Sequence, residues 1–111
     1  GFNVVVHEIA HKLDMRDGAM NGTPRLPSTI RRSEWVGIMQ AAYDGFVRAV
    51  ERGRETQVDP YAAESVDEFF AVTSELHFSD PGTLRSAMPA VAALLERYYG
   101  PAAVAAPATG R

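Results

Sequence analysis

The sequence predicts an all-α fold, a compact bundle of about four helices. Three observations carry this. Apolar residues recur at helical spacing in several long stretches, the mark of helices that bury one face. Clusters of Gly, Pro and Asn separate those stretches. No segment alternates apolar and polar residues with the period of a half-buried strand. The 111 residues suffice for one small domain, and a hydrophobic share of 46% allows a real core.

The first helix is expected over residues 2–15, opening on the apolar run Phe2-Asn3-Val4-Val5-Val6, which predicts a buried helix. Residues 16–27 are rich in Gly, Asn and Pro and read as a long loop. Loops of that length in compact domains are usually functional or disordered; this one leaves directly from the first helix and would border a metal site there, with a merely solvated connection as the plainer reading. Ser33 is the expected N-cap of a second helix over residues 34–52. Trp35, Ile38, Met39, Ala42, Phe46, Val47 and Val50 line its apolar stripe, and Gly53 fits the position just past its end. Residues 54–60 form a polar connection. A third helix over residues 65–77 carries Phe69, Phe70, Val72 and Leu76, and Asp80-Pro81-Gly82 breaks it. Pro89 fits the first turn of a fourth helix, which Gly100-Pro101 stops. Residues 1–101 thus make the helical core, and the Ala- and Pro-rich residues 102–111 are expected to fray.

Charge and composition exclude several classes. A formal net charge of −3 argues against nucleic acid or an anionic membrane as the main partner. With no cysteine there is no disulfide framework and no thiolate metal site, so any metal rests on His and carboxylate. No apolar run approaches the ~20 residues of a membrane span. No basic stretch leads into an apolar one as in a signal peptide, so a cytoplasmic location is expected. The chain opens a few residues before a helix expected to be buried, as a fragment of a larger domain would.

Within the first helix stands His7-Glu8-Ile9-Ala10-His11. Helical residues rotate by about 100° each, so residues four apart return to the same face. His7 and His11 can therefore offer one ring nitrogen each to a single zinc ion. Glu8 is then placed as general base for a zinc-activated water. On spacing alone the pentapeptide fits a solvated helix face equally well, but buried histidines need partners, and a metal partners both. Asp14 lies on the same face and could accept the second ring proton of a ligand histidine. A solvated Asp near the helix end fits the spacing as well.

A zinc site that hydrolyses needs three protein ligands and one open position. Two residues are candidates for the third ligand. His77 sits near a helix end beside Ser79-Asp80, where an exposed histidine is the favoured reading. Glu68 opens an aromatic-rich helix, but Ser65-Val66-Asp67-Glu68 also matches a capping box, in which Glu68 folds back on Ser65. Spacing leaves these alternatives for Glu68 open.

The string His7 to Asp14, then Asp17-Gly18, Asn21-Gly22 and Pro24, resembles the Mlc titration factor A family of bacterial zinc metallopeptidases. So do Tyr61-Ala62-Ala63, Glu68-Phe69-Phe70-Ala71-Val72 and Ser74-Glu75. The pattern is also similar to the catalytic domain of anthrax lethal factor, where a Tyr precedes a ligand Glu by the same separation as Tyr61 and Glu68. The resemblance implies a zinc site between the first and third helices, with His7, His11 and Glu68 as ligands and Glu8 as the base. By the same likeness Tyr61 would stabilise the oxyanion, a role a phenol can fill by hydrogen bonding; a half-buried packing tyrosine is its plainer reading. Glu75, on the face of Glu68, could accept a ring proton from a ligand histidine or be a solvated acid. The family carries a sizeable region before the metal helix, and in such peptidases an upstream sheet edge usually holds the substrate backbone. The implied partners are a peptide or protein substrate and, from the family's name, a transcriptional repressor.

Overall fold

The computed structural model describes residues 4–15 and 21–101. They form α1 (Val4–Met15), α2 (Arg32–Glu51), a 3₁₀ turn (Pro60–Ala63), α3 (Val66–Ser79), α4 (Pro81–Ala87) and α5 (Pro89–Tyr99). Among the described residues there is no strand, so the fold is all-helical as expected. The frayed tail expected over residues 102–111, the start of the first helix at Phe2 and residues 16–20 of the long loop lie outside the described residues.

Among the described residues there are five α-helices where about four were expected, because Asp80-Pro81-Gly82 does two jobs. It ends α3, and it also starts α4. The Asp80 carboxylate accepts the Thr83 N–H at 3.3 Å and the Thr83 hydroxyl at 2.7 Å, and Pro81 takes the first turn, where its missing N–H costs nothing. Leu84 anchors this short helix in the core. The other correction is at the start of α2. Ser33 lies inside the helix, and Arg31 stands at the cap with no side-chain hydrogen bond. Packing decides here. Trp35 is fully buried and its indole N–H donates to the Gly22 carbonyl at 3.0 Å, which fixes the entry of α2 without a polar cap. At its far end Gly53 adopts the left-handed φ of +73° that a residue past a helix C-terminus needs.

α3 is the central helix and touches every other helix. Residues 69–75 are all buried, which is the signature of a helix packed on all sides. On one flank Phe70 meets Trp35 edge-on with ring centroids 5.7 Å apart, and Phe69 meets Tyr43 at 5.6 Å. Truncating a buried Phe of this kind to Ala costs roughly 3–5 kcal/mol. Leu94 and Leu95 of α5 complete that side.

On the other flank α3 packs against α1, and the expected burial of the apolar run is corrected there. Val5 remains 67% exposed and Ile9 50%. The face of α1 that meets α3 presents His7, Ala10 and Asp14 instead. Val5 of that run and Ile9 point outward because the helical period puts them opposite the histidines, while Phe2, Asn3 and the Val4 side chain lie outside the described residues.

Candidate metal centre

The site lies in the seam between α1 and α3. One turn of α1 separates His7 and His11, so both rings project from one face toward α3. From α3, Glu68 reaches back between them. Its Oε1 lies 3.0 Å from His7 Nε2 and 3.2 Å from His11 Nε2. All three ligand atoms fall within 4.8 Å of one another.

These distances can be tested against a metal. Bonds of about 2.0–2.1 Å from a tetrahedral zinc put its ligand atoms roughly 3.3 Å apart. The Glu68–histidine separations of 3.0 and 3.2 Å are close to that. Two imidazole nitrogens and one carboxylate oxygen, with no thiolate, form a donor set that leaves a fourth position open. The residues present therefore fit a divalent metal.

The local sequence explains why Glu68 is free to reach the histidines. Ser65 caps α3, its hydroxyl accepting the Glu68 N–H at 3.3 Å. That is the Ser half of the capping box. The Glu68 side chain turns to His7 and His11 instead of returning to the Ser65 backbone. The Ser half of the capping box forms and the Glu half does not.

Glu75 lies two turns further along α3, is only 5% exposed, and brings Oε1 within 3.0 Å of His7 Nδ1. With the Nδ1 proton directed to Glu75, His7 Nε2 is left to act as an electron-pair donor. Tyr61, from the 3₁₀ turn, is 48% exposed, and its ring centroid stands 6.3 Å from that of His7. A hydrogen bond to Glu68 raises its phenol above the ordinary pKa, and the charge on Glu68 adds to this. Glu8 is exposed on α1, beside His7 in sequence.

Asp14 is a correction. It is fully buried, and its carboxylate accepts the Asn21 N–H at 3.1 Å and the Gly22 N–H at 2.8 Å. It anchors the loop after α1, this burial excludes the solvated Asp that the spacing also allowed, and the Nδ1 of His7 faces Glu75 instead. Burial raises its pKa, with the N–H groups of Gly22, Asn21 and Thr23 opposing. His77 is the second correction. Far from being an exposed histidine, it is 2% exposed, bonds to the Gly100 carbonyl at 3.0 Å and stacks on Tyr99. It stands apart from the metal-binding group of His7, His11 and Glu68. Sequence reasoning overlooked Asp67, whose Oδ2 lies 4.0 Å from His11 Nδ1. The available signal was its place immediately before Glu68.

Comparison with known proteins places the chain in a family. The model of the glucose-regulated metallo-peptidase family M90 matches residues 1–100. The chain belongs to that M90 family. Mlc titration factor A of Yersinia pestis is 42% identical over 103 residues, which cover 89% of this chain and 37% of the relative. Mlc titration factor A of Edwardsiella ictaluri is 40% identical over 103 residues, covering 89% and 39%. An uncharacterized protein of Synechocystis is 38% identical over 99 residues, covering 89% and 36%. The chain thus spans less than two fifths of the length of these relatives. Membership of a metallo-peptidase family implies a metal, and the His7, His11 and Glu68 group could hold one. Among the described residues of this M90 chain, no helix is long and apolar enough to cross a membrane.

Proposed function

We propose that this chain is the metal-binding core of a zinc-dependent metallopeptidase that hydrolyses peptide bonds of a peptide or protein substrate in the cytoplasm. The observation that carries the reading is the convergence of His7 Nε2 and His11 Nε2 on Glu68 Oε1 at 3.0 and 3.2 Å. Two histidines and one glutamate are a common ligand set of hydrolytic zinc. Zinc bound there supplies a Lewis acid for the scissile carbonyl and acidifies water.

The remaining chemistry belongs to the chain. Glu8, exposed beside His7, takes the proton from the attacking water and passes it to the leaving amine. Glu75 holds the Nδ1 proton of His7 and fixes the direction of Nε2. The Tyr61 hydroxyl, an ordinary phenol donor on the exposed side of His7, can donate to the oxygen that gains charge. The relatives' name brings a transcriptional repressor, Mlc, as another candidate partner. A repressor-binding module with structural zinc would need the ligands but no base, so Glu8 favours the peptidase.

The test combines metal analysis with peptide hydrolysis in wild type, His11→Ala and Glu8→Gln. One zinc per chain is expected in wild type and in Glu8→Gln, and none in His11→Ala. Glu8→Gln should lose roughly 10²- to 10⁴-fold in rate, the range of general acid–base catalysis. Stoichiometric zinc in His11→Ala, or full activity in Glu8→Gln, would overturn the reading.

A further inference from the structure

We propose that Asp67 is the positioning residue for His11, its carboxylate accepting the Nδ1 proton once His11 Nε2 is committed to a metal ion. The proposal rests on the zinc reading of the same seam and extends it to a residue outside the ligand set.

The starting observation is a buried polar atom with no hydrogen-bond partner, His11 Nδ1. The ring turns its other nitrogen, Nε2, toward Glu68 at 3.2 Å. An imidazole that donates its Nε2 electron pair to a metal carries its remaining proton on Nδ1. That proton then points from a buried site, and buried N–H groups are almost always paired. Asp67 Oδ2 stands 4.0 Å from Nδ1, and the two side chains are only 13% and 20% exposed. A charge-assisted hydrogen bond needs about 2.8 Å, so the gap closes by a shift of roughly 1 Å. Asp67 has the freedom to make that shift, because Ser65, not Asp67, caps the Glu68 N–H at the start of α3.

The register of the two helices supports the assignment. The earlier histidine on α1, His7, meets the later acid on α3, Glu75, at 3.0 Å. The later histidine, His11, faces the earlier acid, Asp67. Such crossed pairing is what antiparallel helices produce. Each histidine then has an α3 carboxylate behind it, with Glu68 between them. The plainer role for Asp67 is an acid in the first turn of α3, where it favours the helix dipole. That role predicts an effect on helix stability and none on the histidine ring.

The experiment uses the ¹⁵N-labelled chain with one equivalent of zinc. Ring-nitrogen NMR is recorded, and zinc affinity is measured by competition with a chromophoric chelator, for wild type, Asp67→Ala and Asp67→Glu. Wild type should show a slowly exchanging His11 Nδ1–H resonance that disappears in Asp67→Ala. Zinc affinity should fall about 10- to 100-fold in Asp67→Ala, the usual cost of losing such a partner, and recover in part in Asp67→Glu. An unchanged resonance with affinity within about twofold of wild type would leave Asp67 as a helix-start acid and overturn the proposal. Should Asp67→Ala fail to fold, the wild-type spectrum decides alone, since absence of a protected His11 Nδ1–H there is equally fatal. Failure of the zinc reading is recognised separately: wild type would take up no zinc and the ring signals of His7 and His11 would not move on its addition. The Asp67 proposal would fall with it.

Discussion

Asp14 and Gly22 are joined by a 2.8 Å hydrogen bond in which the glycine N–H donates to Oδ2 of a fully buried carboxylate. The bond closes the loop that follows α1. It also sets that loop against α3, since Gly22 packs so tightly on Val66 that a Cβ there would meet the Val66 side chain and carbonyl. Its φ of +79° is one that glycine tolerates best. The end of α1 and the start of α3 are thus held through one acid.

Replacing Asp14 by Ala should therefore destabilise the fold without touching a ligand. Hydrogen bonds to a charged group are worth about 1.5–3 kcal/mol each, and the N–H groups of Asn21 and Gly22 would lose their acceptor together. Urea denaturation should register a loss of about 3 kcal/mol, the low end of their sum, because removing the buried carboxylate also removes its desolvation cost. A change under ~0.5 kcal/mol, the level of an ordinary surface substitution, would show that the loop is held elsewhere.

His77 makes stability depend on pH. Burial lowers its pKa from the ordinary 6.5, with the Gly100 carbonyl opposing. As pH falls below about 6.5 the unfolded chain takes up a proton that the folded chain refuses. This contribution to stability is complete above pH 6.5 and is lost as pH falls toward the lowered folded value, by at most about 1.4 kcal/mol per pH unit. His77→Gln keeps a donor for Gly100 and removes the titration. Denaturation at pH 7 and pH 5 should show a smaller acid loss in the variant than in wild type. Equal losses would rule the residue out as a source.

Glu68→Gln separates the two roles that its segment combines. The Ser65 cap uses the backbone N–H of residue 68 and survives the change. The anionic oxygen facing His7 and His11 does not. Zinc affinity should drop by more than the roughly 100-fold that an outer partner costs, while helix content by circular dichroism stays the same. Retained affinity with a small loss of stability would return Glu68 to the capping box.

Tyr61→Phe bears on mechanism. Its effect should fall on kcat more than on KM, by roughly 10²- to 10³-fold, because an oxyanion donor acts mainly in the transition state. Zinc content should be unchanged, the phenol not being among the three converging ligands. Full activity in the variant would reduce Tyr61 to packing.

How much of this was legible depended on range. That His7 and His11 share one face was readable because a helix fixes neighbours four apart in any context. Gly53 was readable for the same local reason. Glu68 was ambiguous, because its own segment is a sound cap, and only the tertiary approach of α1 gives its side chain other partners. Ser33 misled because the buried Trp35, bonded to a carbonyl thirteen residues away, sets where α2 begins. Asp80 misled because the residues that stop one helix are also good at starting the next. For Asp14 the helical face was read correctly and the partner was not, since loop N–H groups came to it from beyond the helix.

The exposed Val5 and Ile9 have a consequence for how α1 is fastened. Helices in small domains usually stay docked through an apolar stripe. Among the described residues of α1, Ala10 is the buried apolar one, and its companions at the seam are a histidine and an aspartate. What grips this helix is chemistry that water can compete for. A metal ion shared between His7, His11 and Glu68 would serve as the rivet that oil supplies elsewhere. Chelation should then loosen α1 first, its amides exchanging with solvent while the Phe70–Trp35 side of α3 stays shut.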